Sequence, residues 1–388
     1  MMMRFCVLFL ILIQTLTGCK KQINSQVLAK ATNYLVVSGN IALGDTTVIN
    51  LSRMLSVNDT ARSKPELNAM VTIEGSQTGS YPLISKNNGN YTLAPLNLSS
   101  AQNYRLKIVT SDGRQYASDF VPVKNSPPID SVNYVVQYNG LQINVNTHDP
   151  ANNTHYYRWD YTETYIVRSE YNSRYIVVNH DTTALRTPDQ QIYNCWATSY
   201  SSAIALGSSV NLSSDIIKNQ QVALIPPKSE KLRVRYSILV KQYGLTSDAY
   251  NYFTLLKKNT EQLGSIFDAE PSELKGNIHS LSNSTEPVIG YVTVSAITQA
   301  RIFVDNQNLP ASWAPDLSYY NGCQIFNEYY DYIPPLGSYD ERLVQEFIYT
   351  GFEIPIDTIL VPKGLKSARP YCVDCTLRGT NKQPAFWK

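Results

Sequence analysis

Apolar and polar side chains alternate on both sides of one Asn-Gly turn, and this pattern constrains the fold more than any other feature of the sequence. The alternating apolar residues around Asn139-Gly140 are Val132, Tyr134, Val136, Tyr138, Leu141, Ile143 and Val145. Asn-Gly supplies the positive φ angles that a two-residue hairpin turn requires. A period of two places alternate side chains on one face of a strand. The sequence therefore predicts a β-hairpin in a sheet with one buried face.

Similar segments recur along the chain, and they predict a mainly β protein with two β-sandwich domains and a few short packing helices. Asn88-Gly89 and Asp112-Gly113 mark two further hairpin turns. Short strands at this spacing are typical of Ig-like sandwiches. Further strands are expected at Tyr34–Val37, Ala69–Ile73, Tyr81–Ser85, Tyr91–Leu93, Tyr104–Val109, Gln115–Val121, Tyr157–Tyr161 and Leu232–Val240.

Three finer expectations concern the second half of the chain. Val288–Val294 and Ile297–Val304 are interpreted as an antiparallel strand pair. Ser247 is expected to cap a helix that runs to about Leu263. A capping box at Ser338–Glu341 predicts another helix, which Gly351 ends.

The N-terminus has the layout of an export signal. A charge at Arg4 precedes an apolar run over Phe5–Ile13, which is shorter than the roughly 20 residues of a membrane-spanning helix. Leu16-Thr17-Gly18-Cys19 matches the lipobox of bacterial lipoproteins. It predicts cleavage before Cys19 and acylation of the Cys19 thiol, which would attach the chain to a membrane without crossing it. An ordinary signal peptide that contains a cysteine is the alternative.

These signals divide the chain into five parts. Ser126-Pro127-Pro128 separates the two β domains, because proline cannot donate to a sheet ladder. The expected parts are a lipoprotein signal peptide over 1–18, a lipid-anchored tether over 19–33, an N-terminal β-sandwich over 34–125, a second β domain with a helical insertion over 128–310, and a C-terminal helix and cysteine-containing segment over 311–388 packed on the second domain.

The charge balance argues against nucleic acid as a partner. The chain has 33 basic and 31 acidic residues, a formal net charge of +2, and no basic block. Nucleic-acid binding requires clustered cations that neutralise phosphates. The 28 tyrosines and the low charged fraction of 16% instead suit polar β-sheet surfaces.

Four cysteines lie beyond the signal peptide and the anchor: Cys195, Cys323, Cys372 and Cys375. An even number in an exported protein predicts two disulfides. Three pairings are possible, and we favour Cys372–Cys375 together with Cys195–Cys323. A zinc site with four cysteine ligands and a thioredoxin-like redox pair at Cys372–Cys375 are the alternatives.

The sequence contains no motif that carries a known chemistry. HExxH, GxSxG, a P-loop and GxGxxG before a helix are all absent. His148 and His155 are interpreted as polar residues near the two ends of a loop, and a metal site is the alternative. We therefore expect no cofactor, no metal and no catalytic residue, so that the protein is not an enzyme.

Tyrosines near Cys323 are the most suggestive binding feature. These residues are Tyr319, Tyr320, Tyr329, Tyr330 and Tyr332. A tyrosine offers an apolar ring with a polar tip, which suits a glycan or a peptide ligand. Tyrosine is also favoured in strands for stability alone. We predict a ligand surface here and give less weight to the tyrosines between Tyr156 and Tyr175.

The series of motifs resembles one protein family. The motifs are Arg235–Ile238, Ala249–Phe253, Gly264–Asp268, Pro271–Ile278, Val288–Tyr291 and, as the most specific part, the ending Tyr371–Trp387. With the lipobox and the Ser126–Val132 junction, the chain resembles the domain of unknown function 4249 family of Bacteroidota cell-envelope lipoproteins. The resemblance implies an outer-membrane lipoprotein, often encoded beside TonB-dependent receptors, with no established chemistry. The first domain also resembles transthyretin-like sandwiches, at the level of fold alone.

These observations lead to an expected function. We expect a non-catalytic accessory protein that captures a ligand for a TonB-dependent outer-membrane receptor, or hands one over to it. A structural or adhesive envelope protein is the main alternative, and an envelope hydrolase is a lesser one. We favour the extracellular face of the outer membrane over the periplasmic face, although basic Lys20-Lys21 follows Cys19 where surface-exposed lipoproteins of this phylum often have acidic residues.

Overall fold

The computed structural model describes residues 33–55, 63–178, 182–261, 274–330 and 344–388. Most regular structure in these ranges is β-strand, so the predicted mainly β fold class is confirmed. Cys19, the tether, Tyr332 and the capping box at Ser338–Glu341 lie outside the described residues.

The largest sheet of the described chain has ten strands. Strands are numbered in chain order, and eight of them lie side by side along this sheet. Across the sheet these are β15 (Asn194–Tyr200), β12 (Tyr156–Arg168), β18 (Arg235–Gly244), β20 (Ile289–Asp305), β1 (Leu35–Leu43), β2 (Thr47–Arg53), β7 (Asn90–Leu93) and β6 (Ile84–Ser85); β16 (Ala205–Ser208) also pairs with β12, and β3 (Lys64–Pro65) with β2.

Four smaller sheets cover this large one or extend from it. One contains β19 (Ile278–Ser280), β9 (Gln115–Ser118), β8 (Tyr104–Val109), β4 (Met70–Gly75) and β5 (Ser80–Pro82). A second small sheet contains β10 (Ile129–Gln137), β11 (Gly140–His148) and β17 (Ile216–Ile225). A third is the hairpin of β13 (Tyr175–Val178) and β14 (Thr182–Leu185). The fourth contains, in spatial order, β21 (Phe326–Tyr329), β23 (Gly364–Ala368) and β22 (Ile354–Ile359).

The first sandwich has a core that is assembled from distant parts of the chain. Alternation along β8 buries Tyr104, Leu106 and Ile108 against the facing strands. Val292 and Val294 of β20 lie in the same core, together with Ile278 of β19. The predicted limits of 34–125 are therefore too narrow, because a segment after residue 274 completes this sandwich.

The second sandwich places the β10–β11–β17 sheet over the other half of the large sheet. The predicted hairpin at Asn139-Gly140 is confirmed, and Gln137 pairs with Gly140 across it. Trp159 is fully buried in this core, and its indole N–H donates to Gln242 Oε1 at 2.9 Å. A large buried ring with a satisfied N–H stabilises such a core strongly.

The strand β20 joins the two sandwiches. It is one continuous strand of 17 residues, so the predicted antiparallel pair of Val288–Val294 and Ile297–Val304 is wrong. The intervening Ser295-Ala296 contains no glycine, proline, asparagine or aspartate, and these two residues pair in parallel with β1. The first half of β20 runs parallel to β1, and its second half runs antiparallel to β18.

Helices are few among the described residues, and the longest packs on the large sheet. This helix, α1, spans Ser247–Glu261 and buries Ala249, Tyr252 and Phe253. The Thr246 hydroxyl accepts from the Ala249 N–H at 3.2 Å, so Thr246 caps the helix instead of the predicted Ser247. A short α2 spans Pro370–Val373, and Val344–Ile348 forms a π-helical turn.

Candidate functional site

Residues 311–330 and 344–388 form a unit that we call the C-terminal module. Its β21–β23–β22 sheet lies beside the β13–β14 hairpin. The Ser173 hydroxyl donates to the Pro355 carbonyl at 2.7 Å, and the Arg174 N–H donates to the Ile356 carbonyl at 3.0 Å. These bonds attach the hairpin to one edge of the module.

Two disulfides tie this module together, in a pairing that differs from the favoured one. Cys195 of β15 is bonded to Cys375, and Cys323 is bonded to Cys372, with Cα–Cα distances of 5.5 and 5.7 Å. The favoured pairing was wrong because the chain turns between Cys372 and Cys375. Asp374 is extended after α2, and the Cys375 N–H donates to the Ile192 carbonyl at 2.9 Å, beside β15.

The two disulfides confirm the predicted role of the four cysteines. Their sulfur atoms are bonded to one another, so no thiolate remains for a four-cysteine zinc site or for a Cys372–Cys375 redox pair. Within the described ranges, no cluster of three or more His, Cys, Asp or Glu side chains is arranged to hold a metal ion.

The predicted tyrosine surface is only partly assembled. Tyr319 and Tyr320 pack edge to face with ring centroids 5.1 Å apart. Tyr320 is 6% exposed and its hydroxyl donates to the Arg168 carbonyl at 2.9 Å, so it belongs to the packing and not to a ligand surface. Tyr319 is 43% exposed, and the Arg378 guanidinium lies 4.3 Å from its ring centroid.

The remaining predicted tyrosines have other neighbours. Tyr329 is the last residue of β21, and the next residue, Tyr330, lies under the Lys363 ammonium at 5.5 Å. Both rings are half-buried. The prediction of a ligand surface therefore remains untested for Tyr319, Tyr329 and Tyr330.

A cleft of about 530 Å³ opens between the β13–β14 hairpin and the C-terminal module. Its size lies in the range of small-molecule sites, roughly 300–1,000 Å³. Its wall is about half polar and half apolar, with Arg186 and Glu353 as its basic and acidic residues and the hydroxyl-bearing Tyr349 and Thr350 beside them. The apolar lining residues are Ile176, Val177, Ile348, Ile354 and Pro355. Sequence reasoning did not find this site, because its walls come from segments far apart that share no motif.

Arg186 has a cationic side chain whose hydrogen-bond partners among the described residues are uncharged. Its Nε–H donates to the Ser173 hydroxyl at 3.0 Å, and Nη1 donates to the Gln190 carbonyl at 3.1 Å. No carboxylate within the described ranges approaches it to ion-pair distance. Burial lowers the pKa of the Arg186 guanidinium, and the charge of Asp374 opposes this shift. Arginine nevertheless stays protonated in proteins, so Arg186 brings a positive charge to the cleft.

Glu353 brings a carboxylate that is already partnered. Its side chain is 3% exposed, Ser367 Oγ donates to it at 2.6 Å, and Arg369 Nε lies 3.8 Å away. Nearby Glu328 is buried with one carboxylate oxygen unpaired. Burial, followed by the charges of Glu353 and Glu346, raises the pKa of Glu328 to about 7. Repulsion among these carboxylates is thus relieved by a proton on Glu328 below neutral pH.

A group of Asp215, Ser209 and His155 in the second sandwich contains the residue types of a hydrolytic triad. The Ser209 hydroxyl donates to Asp215 Oδ1, and His155 Nδ1 lies 3.2 Å from the same hydroxyl. In a Ser-His-Asp triad the histidine lies between the other two and removes the serine proton. Here the serine lies in the middle and is fully buried, so the group supports the loop without serving as a nucleophilic site.

The two histidines weighed as metal ligands do not converge. His148 Nδ1 contacts the Asp130 carboxylate at 2.8 Å, whereas His155 contacts Ser209. Their placement fits polar residues with separate partners.

No helix in the described ranges combines the length and the apolar character needed to cross a bilayer.

The fold and the site define a multi-sheet β protein with a disulfide-stapled C-terminal module. The chain belongs to the family described as Domain of unknown function (DUF4249), whose sequence model matches residues 21–301. The predicted membership of this family is thereby confirmed. The match does not extend to the Tyr371–Trp387 ending, in which that resemblance was most specific.

Comparison with other proteins adds little. No curated protein matches the chain. Among solved structures, a two fibronectin type-III domain segment from chicken tenascin is similar, with 12% sequence identity and a TM-score of 0.16. The match covers 53% of this chain and 88% of that segment. We draw no functional conclusion from a likeness of this size.

Proposed function

We propose that this protein is an exported lipoprotein that captures a ligand at the outer membrane without transforming it. The observation that carries the proposal is the cleft between the β13–β14 hairpin and the C-terminal module. It combines five aliphatic side chains with a cation that has no carboxylate at ion-pair distance among the described residues. A concave, mostly apolar surface with a few oriented polar groups is the usual form of a small-molecule site.

Export and anchoring are supported by two independent features. The Leu16–Cys19 lipobox follows the apolar run of the signal. Two disulfides form among the remaining cysteines, and disulfides persist in oxidising compartments outside the cytoplasm. An acylated Cys19 would hold the protein on a membrane surface, since each buried CH₂ contributes roughly 0.8 kcal/mol.

The arrangement of two described groups favours binding over hydrolysis. Within the described ranges the Asp215–Ser209–His155 group has the wrong order for a triad. The cleft contributes one guanidinium and one partnered carboxylate, which can orient a ligand. A general base would need to reach a substrate proton, and Glu353 is turned toward Ser367 and Arg369.

The proposed partner is a TonB-dependent receptor of the outer membrane, with the protein on the extracellular face. A lipid anchor would confine this protein to the membrane in which the receptor lies, which raises the local concentration of captured ligand near the receptor. This part of the proposal rests on the family resemblance, in which such receptors are often encoded nearby.

A pull-down from solubilised outer membranes tests the proposal. We expect the native chain to be recovered with a TonB-dependent receptor, and a Cys19→Ala variant to be lost from the membrane fraction. Recovery of the native lipoprotein alone, under conditions that retain known receptor complexes, would contradict the accessory role. Altered surface integrity with normal nutrient uptake in a deletion strain would favour a structural or adhesive role instead.

A further inference from the structure

We propose that the cleft binds a small carboxylate that carries an apolar group, with Arg186 as the residue that receives the carboxylate. This inference deepens the proposed ligand capture and rests on it. Nothing in the sequence motifs or in the family description assigns a ligand to this place. The reasons lie in the donors of Arg186, in the state of Glu353 and in the composition of the walls.

Arg186 is oriented and has donors to spare. An arginine has five N–H donors in a fixed fork. The Nε–H and one Nη1 donor are engaged by Ser173 Oγ and the Gln190 carbonyl, both uncharged acceptors. The other three N–H groups have no partner among the described residues. Because Ser173 also donates to Pro355, on the opposite wall of the cleft, the guanidinium is held by a group that is itself fixed.

The charge in the cleft favours an anion. Glu353 is the acidic residue of the lining, but its carboxylate is buried and accepts from Ser367, with Arg369 beside it. It therefore does not offer a free negative charge to a ligand. Arg186 has no such neutralising neighbour in the described structure, and a planar carboxylate fits a guanidinium through two parallel hydrogen bonds.

The walls specify the rest of the ligand. Ile176 and Val177 come from the hairpin, and Ile348, Ile354 and Pro355 come from the module. These five side chains offer no hydrogen-bonding groups, so they suit an aliphatic chain or an apolar side group. Tyr349 and Thr350 also line the cleft, so part of its wall is polar. An alkanoate and the C-terminal leucine of a peptide share this chemistry, a carboxylate beside an apolar group.

Titration calorimetry on the full acylated chain in detergent solution tests the inference without any mutation. The ligand pairs are hexanoate with hexan-1-ol, and N-acetyl-leucine with N-acetyl-leucinamide, each against a detergent blank. We expect at least one carboxylate to bind ten-fold or more tightly than its uncharged counterpart. Hexanoate alone would identify an alkanoate site, and N-acetyl-leucine alone would identify a peptide-terminus site. Equal affinity of acid and uncharged counterpart in both pairs would overturn the inference.

A matched pair of variants locates the site. Arg186→Gln is expected to weaken carboxylate binding by ten-fold or more and to leave the uncharged ligand unchanged. Arg174→Gln removes an exposed cation from the same hairpin region, where it pairs with Asp357 at 3.3 Å, and should change affinity by less than two-fold. Near-ultraviolet circular dichroism checks that both variants are folded. Undiminished carboxylate binding by folded Arg186→Gln would overturn the assignment.

The outcome is separable from that of the receptor pull-down. Recovery with a receptor but no preference for carboxylates would overturn this inference and leave the accessory role intact. Carboxylate binding by a chain that is recovered alone would support the site and contradict the accessory role.

Discussion

The two sandwiches and the C-terminal module are stabilised in different ways. In the sandwiches, long strands bury contiguous rows of side chains, with Trp159 at the centre of one core and Tyr104 in the other. The described part of the module has only small clusters, around Ile356 and around Val344, and it is cross-linked by two disulfides. A small core supplies little stability without covalent staples. A region held by staples can keep an open cleft that a tightly packed sandwich would fill.

The largest expected effect is the loss of the bond between the module and β15. Replacing Cys195 and Cys375 with alanine together opens a loop of 180 residues. On the chain-entropy model this lowers the free energy of unfolding by about 5 kcal/mol. Limited proteolysis should then release fragments of 311–388 first, while the sandwiches resist. Equal protease resistance of the wild type and the double variant would show that the module does not depend on the staple.

A core truncation tests the other side of the comparison. Trp159→Ala removes a fully buried ring and leaves Gln242 Oε1 without its donor. We expect a loss of about 3–5 kcal/mol in urea unfolding. Ile356→Ala in the module is the matched truncation and should cost less, because Ile356 lies in a smaller cluster. A larger loss from Ile356→Ala would reverse the comparison.

The stability of the module should decline with rising pH below neutrality, opposite in direction to the effect of the sandwich carboxyls Asp45, Asp112 and Asp149, whose pKa values are lowered. The pKa of Glu328 is raised from 4.5 to about 7 in the folded protein, by burial first and then by Glu353 and Glu346. Between these pH values the folded chain keeps a proton that the unfolded chain loses, so stability falls as pH rises through this window and is level above it. Glu328→Gln removes this decline.

Urea unfolding at two pH values measures the effect. Glu328→Gln should exceed the wild type by about 1–2 kcal/mol at pH 8 and match it near pH 4. The Arg369→Gln variant serves as a control, since it removes the cation nearest to Glu353 and should steepen the decline. A wild-type stability that rises from pH 5 to pH 7 in this module would contradict the assignment.

The smallest effect is expected at the tip of the hairpin between β10 and β11. Tyr138 is 94% exposed, so Tyr138→Ser should change the free energy of unfolding by less than about 0.5 kcal/mol. Urea unfolding of this variant sets the baseline against which the changes at Trp159 and Ile356 are judged. A loss of more than 1 kcal/mol would mean that the tip is packed in solution.

Local features of the sequence predicted the hairpins well and the long-range structure poorly. The hairpins at Asn139-Gly140 and Asp112-Gly113 are correctly predicted, because a turn is a property of a few neighbouring residues. Gly113 has the expected positive φ of 84°, whereas the turn before Gly140 lies one residue earlier than predicted, at Tyr138-Asn139. The parallel pairing of β1 with β20 joins Val37 to Gly290. No local period records such a pairing, and for this reason β20 was divided in two and the first domain was cut short.

The candidate site shows the same limit. The set of four cysteines was identified from composition, but the pairing depends on how the chain turns at Asp374. Tyr320 was predicted to face a ligand, yet it is buried against Arg168. Arg186 carries no sequence signal, because its importance comes from its place in the cleft, where no carboxylate of the described residues lies at ion-pair distance.

The proposed function depends most on the lipid anchor at Cys19, and intact-mass analysis of the native protein tests this anchor directly. Protein extracted from the membrane fraction should begin at residue 19, with a diacylglyceryl group on the Cys19 sulfur, and should carry four cysteines in disulfides. An unmodified chain that begins at Met1, or a soluble product cleaved at another site, would contradict the account of an anchored envelope protein.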